Sequence, residues 1–379
     1  MNKKIMNLFL FSIIICLLLT SCWDERFLKD HTLILAIGYD LNDDKTISKT
    51  VAFPSETVAN NEQSEVSGAT MSNTLTTTGT TVGDADLHLE RYLSKRFDRS
   101  KARVLLLGEN LAKEGIFSTL DSMYRDPRGP LSALVAVVSE RAKDGLEIDN
   151  KQSVFFSEFY YDLLTSSEES GIIICENVQS ICPIILSGRK DVALPFISAH
   201  QDNGEAKIDG LALFSGDKMT GTLNIDESIM YLILTDDISK KAKFNLKISD
   251  YEEDSNKNYI TIAIRKDKRK FKVEETAGQL SVNLHFHLQV EIEEFAKNHL
   301  YKKGEVGKLE ERIDEQLTLL AYQTVERLQE ANNDALGIGE QVRAYHNELW
   351  DQDKWRDLYP TIPFDIDFEV EIVQHGIIN

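Results

Sequence analysis

The sequence has little of what marks several protein classes. Seven prolines and 20 glycines among 379 residues exclude collagen-like and proline-rich architectures. Basic residues number 42 against 62 acidic residues, so the formal net charge is −20. This charge argues against nonspecific nucleic-acid binding, because neutralising phosphates requires basic clusters. After Leu19, no apolar run is long enough to span a membrane.

Sequence motifs for catalysis are also missing. A serine elbow, an HExxH motif and paired catalytic carboxylates are absent, so we predict a protein that is not an enzyme and holds no cofactor or metal. Gly337-Ile338-Gly339 lacks the further residues of a phosphate loop, and we interpret it as a helix start. His285 and His287 could share a metal, but a third ligand would have to come from elsewhere. A solvated strand face is therefore the preferred interpretation of these histidines.

The first 22 residues indicate export. Lys3 and Lys4 precede a short apolar run from Leu8 to Leu19, and Leu19-Thr20-Ser21-Cys22 fits the lipobox of bacterial lipoproteins. We predict a signal peptide over residues 1–21, cleavage before Cys22 and lipidation of the Cys22 sulfur. Two or three acyl chains would anchor the mature protein stably outside the cytoplasmic membrane. The alternative is an ordinary signal peptide with a chance cysteine.

Two further cysteines, Cys175 and Cys182, remain in the mature chain. An exported location permits a disulfide between them, and two free thiols are equally compatible with the sequence. Without a nearby pair of histidines they do not form a zinc site.

Hydrophobic periodicity predicts an α+β protein with mixed or antiparallel sheets and packed helices, and the chain is long enough for two or three domains. We place an N-terminal α+β domain at 22–196, a small middle domain at 197–241 and a C-terminal α+β domain at 242–379. Residues 55–83 include 12 Ser or Thr among 29 residues and are predicted to form a flexible loop.

The N-terminal domain contains two clear patterns. Leu89, Leu93 and Phe97 lie four residues apart and predict a helix over 84–97. Apolar strands at 104–107 and 131–138 flank a helical segment, which predicts a βαβ unit with parallel strands.

The C-terminal domain shows the strongest patterns. Alternating apolar residues from Leu280 to Ile292 predict a long strand, and residues 306–328 predict an amphipathic helix. Residues 364–372 alternate as well, so this last strand should dock its apolar face on that helix. Its other face carries Asp365, Asp367, Glu369 and Glu371. We expect it to pair with a strand that offers bases, in preference to calcium. The candidate bases are Lys266, Lys268, Arg269, Lys270 and Lys272.

Four stretches together resemble the Ger(x)C family of spore-germination lipoproteins, the C subunits of nutrient germinant receptors. They are Cys22-Trp23-Asp24 with Ala36-Ile37-Gly38-Tyr39-Asp40; Ala102 to Glu109 with Tyr124-Arg125-Asp126-Pro127; Ile208 to Phe214 with the segment from Leu223 to Leu234; and Leu336-Gly337-Ile338-Gly339-Glu340 with Trp350 and the segment from Phe368 to Gly376.

The resemblance implies a three-domain α+β protein, anchored through lipid on Cys22 at the outer face of the spore's inner membrane. It also implies a membrane-embedded A subunit and a transporter-like B subunit as partners in the response to small nutrients. The family offers no catalytic residues to carry over. The alternative is a lipid-anchored solute-binding protein that captures the nutrient itself.

Overall fold

A computed structural model of the chain describes residues 4–7, 11–12, 30–55, 72–148, 155–200, 204–238, 241–249, 255–297 and 304–374. Helices alternate there with strands in mixed and antiparallel sheets, which confirms the α+β fold class. Among these residues no helix combines the length and apolarity needed to cross a membrane.

The N-terminal half of the described chain is built on one large sheet. The strands of this half are β1 (His31–Leu33), β2 (Ala36–Leu41), β3 (Ile47–Pro54), β4 (Ser72–Gly79), β5 (Arg96–Asp98), β6 (Val104–Gly108), β7 (Leu134–Val138), β8 (Glu176–Asn177), β9 (Ala193–His200), β10 (Glu205–Ser215) and β11 (Lys218–Leu223). The order is β11-β10-β9-β7-β6-β2-β3-β4, with β8 beside β7, while β1 and β5 form a separate parallel pair.

Helices pack on both faces of this sheet. They are α1 (Val82–Leu89), α2 (Glu109–Glu114), α3 (Phe117–Tyr124), α4 (Ala142–Leu146), α5 (Phe156–Glu169), α6 (Val178–Ser187) and α7 (Ile225–Thr235). Leu105 and Leu107 of β6 face the core that includes α1, α2, α3 and α6, whereas Leu106 faces the core that includes α4 and α5. Strands β6 and β7 are parallel and joined through α2 and α3, as the βαβ prediction required.

The segment predicted as a middle domain continues the large sheet. The proposed boundary at residue 196 lies inside β9, and β9, β10 and β11 pair with each other and with β7. Its alternating residues could not show whether these strands form a sheet of their own or extend another one. Helix α7 then contributes Ile229 and Ile233 to the C-terminal core and Leu232 to the N-terminal core.

The predicted flexible loop over 55–83 is wrong for residues 72–79, which form β4. This strand pairs antiparallel with β3, and the Thr50 and Thr76 hydroxyl oxygens lie 3.0 Å apart across the pair. Threonine is β-branched and suits a strand, so a Thr-rich strand can pair without a large apolar face. Residues 56–71 of that prediction lie outside the described residues.

The C-terminal half consists of a four-stranded sheet covered by helices. Its elements are β12 (Lys243–Lys247), β13 (Tyr259–Thr276), β14 (Gln279–Glu294), α8 (Glu305–Glu330), α9 (Ile338–Tyr345), α10 (Trp355–Leu358) and β15 (Phe364–Gln374). The order is β12-β13-β14-β15, and β15 runs parallel to β14.

The last strand docks as its alternation predicted. Ile366, Phe368 and Val370 are buried against the core that α8 completes, and the rings of Phe286 and Phe368 stack with centroids 4.7 Å apart.

Helix α8 also provides hydrogen-bond acceptors for the outer side of β15. The Ile366 amide donates to the Tyr322 hydroxyl at 3.1 Å, and the Val370 amide donates to Asp314 at 2.8 Å. The Ile372 amide donates to Glu310 at 2.9 Å. The chain end is therefore held by packing and by backbone hydrogen bonds.

Candidate functional site

The two halves meet at a buried polar cluster, which we call the junction (Asp191, Asn333, Asp334, Arg356 and Tyr359). Asp191 precedes β9, Asn333 and Asp334 follow α8, Arg356 lies in α10, and Tyr359 comes just after it. All are buried except Arg356, whose side chain is 32% exposed. Since the sequence separates Asp191 from Arg356 by 165 positions, only the fold brings them together.

Asp191 is the centre of the junction. Its carboxylate binds the Arg356 guanidinium in a two-pronged ion pair, with 2.7 Å between Nη2 and Oδ1. It also accepts hydrogen bonds from the amides of Gly216 and Asp334, both at 2.8 Å. Each carboxylate oxygen thus has two donors, which offsets the cost of burying the charge.

Asp334 explains the sequence Gly337-Ile338-Gly339. One carboxylate oxygen accepts from the Ile338 amide at 2.8 Å, and the other accepts from the Gly339 amide at 2.7 Å and the Trp355 indole at 3.2 Å. Burial raises the pKa of Asp334 to about 7, against the opposing effect of these donors. The glycine pair begins α9, as its interpretation as a helix start predicted.

Asn333 ties the large sheet to the end of α8. Its amide nitrogen donates to the backbone oxygens of Val192, at 2.9 Å, and Phe214, at 2.6 Å. Its own backbone oxygen accepts from the Tyr359 hydroxyl at 2.7 Å. These bonds connect β10 and the residue before β9 directly to the C-terminal half, so the two halves are joined in one defined arrangement.

Gly339 is packed too tightly for any side chain. A Cβ atom there would lie 2.9 Å from Trp350, and 3.0 Å from both Asp334 and Trp355. The glycine and Trp350, which carry part of the family resemblance, therefore form one packing unit.

Replacing Gly339 by Ala is expected to destabilise the C-terminal half by about 1–3 kcal/mol, because the two tryptophans and Asp334 must move apart. Urea unfolding followed by tryptophan fluorescence measures the effect. Gly307→Ala is the matched control, since nothing lies within 4 Å of its added Cβ on α8. The control should be neutral or stabilising, because alanine favours helix. Equal stability of both variants would contradict this account of Gly339.

A second buried carboxylate lies in the N-terminal half. Asp40, at the end of β2, accepts hydrogen bonds from the amides of Ala142 at 2.7 Å and Lys143 at 3.0 Å. A Cβ on Gly108 would lie 2.2 Å from the Asp40 carboxylate. Burial raises the pKa of Asp40, while the two amides oppose the rise. Asp40 and Gly108 belong to separate family-like stretches, and the fold places them together.

The polar face of the C-terminal sheet carries the predicted acids and histidines. The His285 Nδ1 atom lies 2.6 Å from Asp367, and the His287 Nδ1 atom lies 3.4 Å from Glu369. Gln289 donates to Glu371 at 2.7 Å. The strand that faces the acids is therefore β14 with its histidines.

The expectation that Lys or Arg would face these acids is wrong. Lys268 and Lys270 lie on β13, opposite His287 and His285, on the far side of β14 from the acidic strand. Alternation fixes which residues share a face but leaves the order of strands open. Among the described residues, no cluster of three or more His, Cys, Asp or Glu is arranged to hold a metal.

The predicted cysteine sites have different outcomes. Cys22 lies outside the described residues. Cys175 and Cys182 are both free thiols and belong to cores on opposite faces of the large sheet. The structure thus places the two thiols apart. Burial raises the pKa of the Cys182 thiol to about 11, which makes a thiolate unfavourable at neutral pH.

Two family models cover most of the chain. The model described as "Spore germination protein N-terminal domain" matches residues 24–199, and "Spore germination B3/ GerAC like, C-terminal" matches residues 209–376. The chain belongs to the Ger(x)C family of spore germination proteins.

Individual Ger(x)C relatives are distant but match over nearly their full length. Spore germination protein GerQC of Bacillus cereus is 21% identical over 366 residues, which cover 96% of this chain and 98% of the relative. Spore germination protein KC of Bacillus subtilis (strain 168) is 21% identical over 401 residues, with coverages of 98% and 95%. The crystal structure of the GerBC protein superposes with a TM-score of 0.58 at 18% identity, covering 89% of this chain and 96% of that one. At this identity the likeness shows the fold.

Three glycines of the Ger(x)C-like stretches serve close packing in this fold. Gly38 and Gly108 allow close packing around α4, and Gly339 allows it around Trp350. Sequence reasoning missed Asp191, Asn333 and Arg356, because no local pattern marks them. The one available signal was that Asp334 stands three residues before the glycine pair, at a helix start.

Proposed function

We propose that this protein is the lipid-anchored, non-catalytic C subunit of a spore nutrient germinant receptor. It acts through contacts with membrane-embedded A and B subunits at the outer face of the spore's inner membrane. The observation that carries the proposal is the family match, which begins at residue 24, two positions after the predicted lipidation site. The family domain thus starts directly behind the proposed anchor.

The junction supports a role in contacts. Its two carboxylates are fully engaged: Asp191 has four donors, and Asp334 has three. A site for chemistry needs groups that can reach a substrate, whereas these groups hold the two halves together. A partner bound to the C-terminal half would therefore be positioned relative to the anchored half.

The alternative of a solute-binding protein has less support. Hinged binding proteins close two lobes around a ligand cleft. Here the halves differ in architecture, a large mixed sheet and a four-stranded sheet, and buried hydrogen bonds from Asn333 join them at the junction.

Replacing Cys22 by Ala tests the proposed anchor. We expect the variant to remain unprocessed or to leave the membrane, with a strongly impaired germination response, because the thiol that takes the lipid is gone. Fractionation of spore membranes and the response to nutrients measure these effects. From detergent-solubilised membranes, the unaltered chain should also co-purify with A and B subunits.

Cys175→Ser is the matched control, because it removes a thiol of the folded body and leaves Cys22 in place. It should mature, stay in the membrane and support germination. Normal maturation and membrane retention of Cys22→Ala would refute the anchor.

A further inference from the structure

The N-terminal ends of β1, β2, β5 and β6 form one edge of the N-terminal half, where the chain enters the fold near residue 30. The pair β1 and β5 lies beside the large sheet and is not part of it. Strand β1 starts at His31, and its register partner on β5 is Arg96. The parallel strands β2 and β6 also begin at this edge, because Ala36 pairs with Val104. The edge is therefore defined by where the chain enters the fold.

Positive charge is concentrated at this edge. Residues 91–103 include six basic residues and one acidic residue, in a chain whose net charge is −20. Arg99 is engaged internally, 3.1 Å from Asp86 and 3.0 Å from Asp126. We call the outer residues of this region the basic edge; they are His31, Arg91, Tyr92, Lys95, Arg96 and Arg128.

Part of the basic edge lines an open cavity of about 610 Å³, whereas Arg91 and Tyr92 line a separate one. The lining of the first cavity includes His31, Lys95, Arg96 and Arg128 of the basic edge. Acids also line it: Glu90, Asp98 and Asp126. Arg99 also lines the cavity and binds Asp126, so the rest of the lining holds three cations, Lys95, Arg96 and Arg128, against the two carboxylates of Glu90 and Asp98.

Exposed apolar side chains accompany the charges. The Tyr92 side chain is 71% exposed, directly beside Arg91, and Leu87 on α1 is 60% exposed. Tyrosines and basic residues together are typical of surfaces at the membrane interface, where the aromatic ring reaches the headgroups.

The predicted anchor places this surface close to the bilayer. Eight residues lie between Cys22 and His31, so the two are nine positions apart. A chain of that length spans about 30 Å when fully extended. The basic edge adjoins His31, so a lipid on Cys22 would hold it near the headgroups.

We propose that the basic edge contacts anionic phospholipid headgroups of the membrane that holds the protein. The proposal rests on lipid anchoring at Cys22 for its orientation. Charge complementarity selects the lipid: a chain of net charge −20 is repelled by an anionic surface unless a local basic region faces it. The consequence is an oriented protein, with the entry edge of the N-terminal half towards the bilayer and the C-terminal half free for partners.

Vesicle sedimentation of the unlipidated chain, residues 22–379 with Cys22→Ser, tests the proposal without the anchor. At low salt we expect binding to phosphatidylglycerol vesicles and none to phosphatidylcholine vesicles, with release at high salt. The variant R91Q/K95Q/R96Q/R128Q should bind about a hundredfold more weakly, since each basic residue near the surface adds to the attraction. Thermal unfolding confirms that the variants fold.

The matched control removes the same charge elsewhere. K266Q/K268Q/K270Q/K272Q changes four exposed lysines of β13 and should bind like the parent chain. Equal loss in both variants, or no binding of the parent chain to phosphatidylglycerol, would overturn the proposal. Release by millimolar phosphate at constant ionic strength would indicate a small-anion site and would overturn it as well. The Cys22→Ala fractionation decides the anchor separately, because these vesicle assays contain no lipidated protein.

Discussion

A chain that ends at Pro363 is expected to lose the fold of its C-terminal half. The deletion removes β15, whose residues Ile366, Phe368 and Val370 are 3–7% exposed in the intact protein. Full burial of a large apolar side chain contributes roughly 1.5–3 kcal/mol, so these three contribute about 5–9 kcal/mol as an upper figure. That is comparable to the net stability of a whole domain.

Hydrogen exchange and thermal unfolding measure this effect. Amides of β14 should lose protection first, since β15 is their partner on one side. A chain that ends at Gln374 keeps all of β15 and serves as the control, with an unchanged transition. Cooperative unfolding of the shorter chain at the same temperature would refute the role of β15.

Replacing Arg356 by Met is expected to destabilise the junction by about 3 kcal/mol. Removing one partner of a buried ion pair leaves an uncompensated charge, here that of Asp191, which is 2% exposed. The value is at the lower end of the usual range, because the Arg356 side chain is 32% exposed and two amides still donate to Asp191. Urea unfolding of the full chain measures the change.

Lys354→Met is the matched control on the same segment. Lys354 pairs with Asp351 at 2.9 Å, and the two side chains are 79% and 43% exposed, so its loss should cost no more than about 1 kcal/mol. The double variant D191N/R356M should recover part of the loss, because it removes both charges together. If Arg356→Met and Lys354→Met lowered the free energy of unfolding equally, the buried pair would contribute no more than an exposed pair.

The sequence predicted the elements whose residues alternate strongly. Strand β14 and strand β15 follow seven and five regularly spaced apolar residues, and α8 follows a three- and four-residue spacing over its length. Such patterns show which face of a helix or strand is buried, and this can be predicted without knowing which elements pack against that face.

The same reasoning failed where tertiary pairing decided the outcome. The helix predicted over 84–97 ends at Leu89, because Phe97 is needed in β5 beside β1. Strand β4 was missed because its threonines give no apolar alternation. The junction could not be predicted, because Asp191 and Arg356 are ordinary polar residues until the fold brings them together.

The hydrogen bonds from β15 to α8 also limit how partners can attach. An exposed outer strand offers free backbone groups on which another protein can add a strand. On β15 the amides of Ile366, Val370 and Ile372 are already occupied by side chains of α8. Strand addition at β15 would require the helix to leave, so a partner that binds at this strand must recognise side chains on its surface.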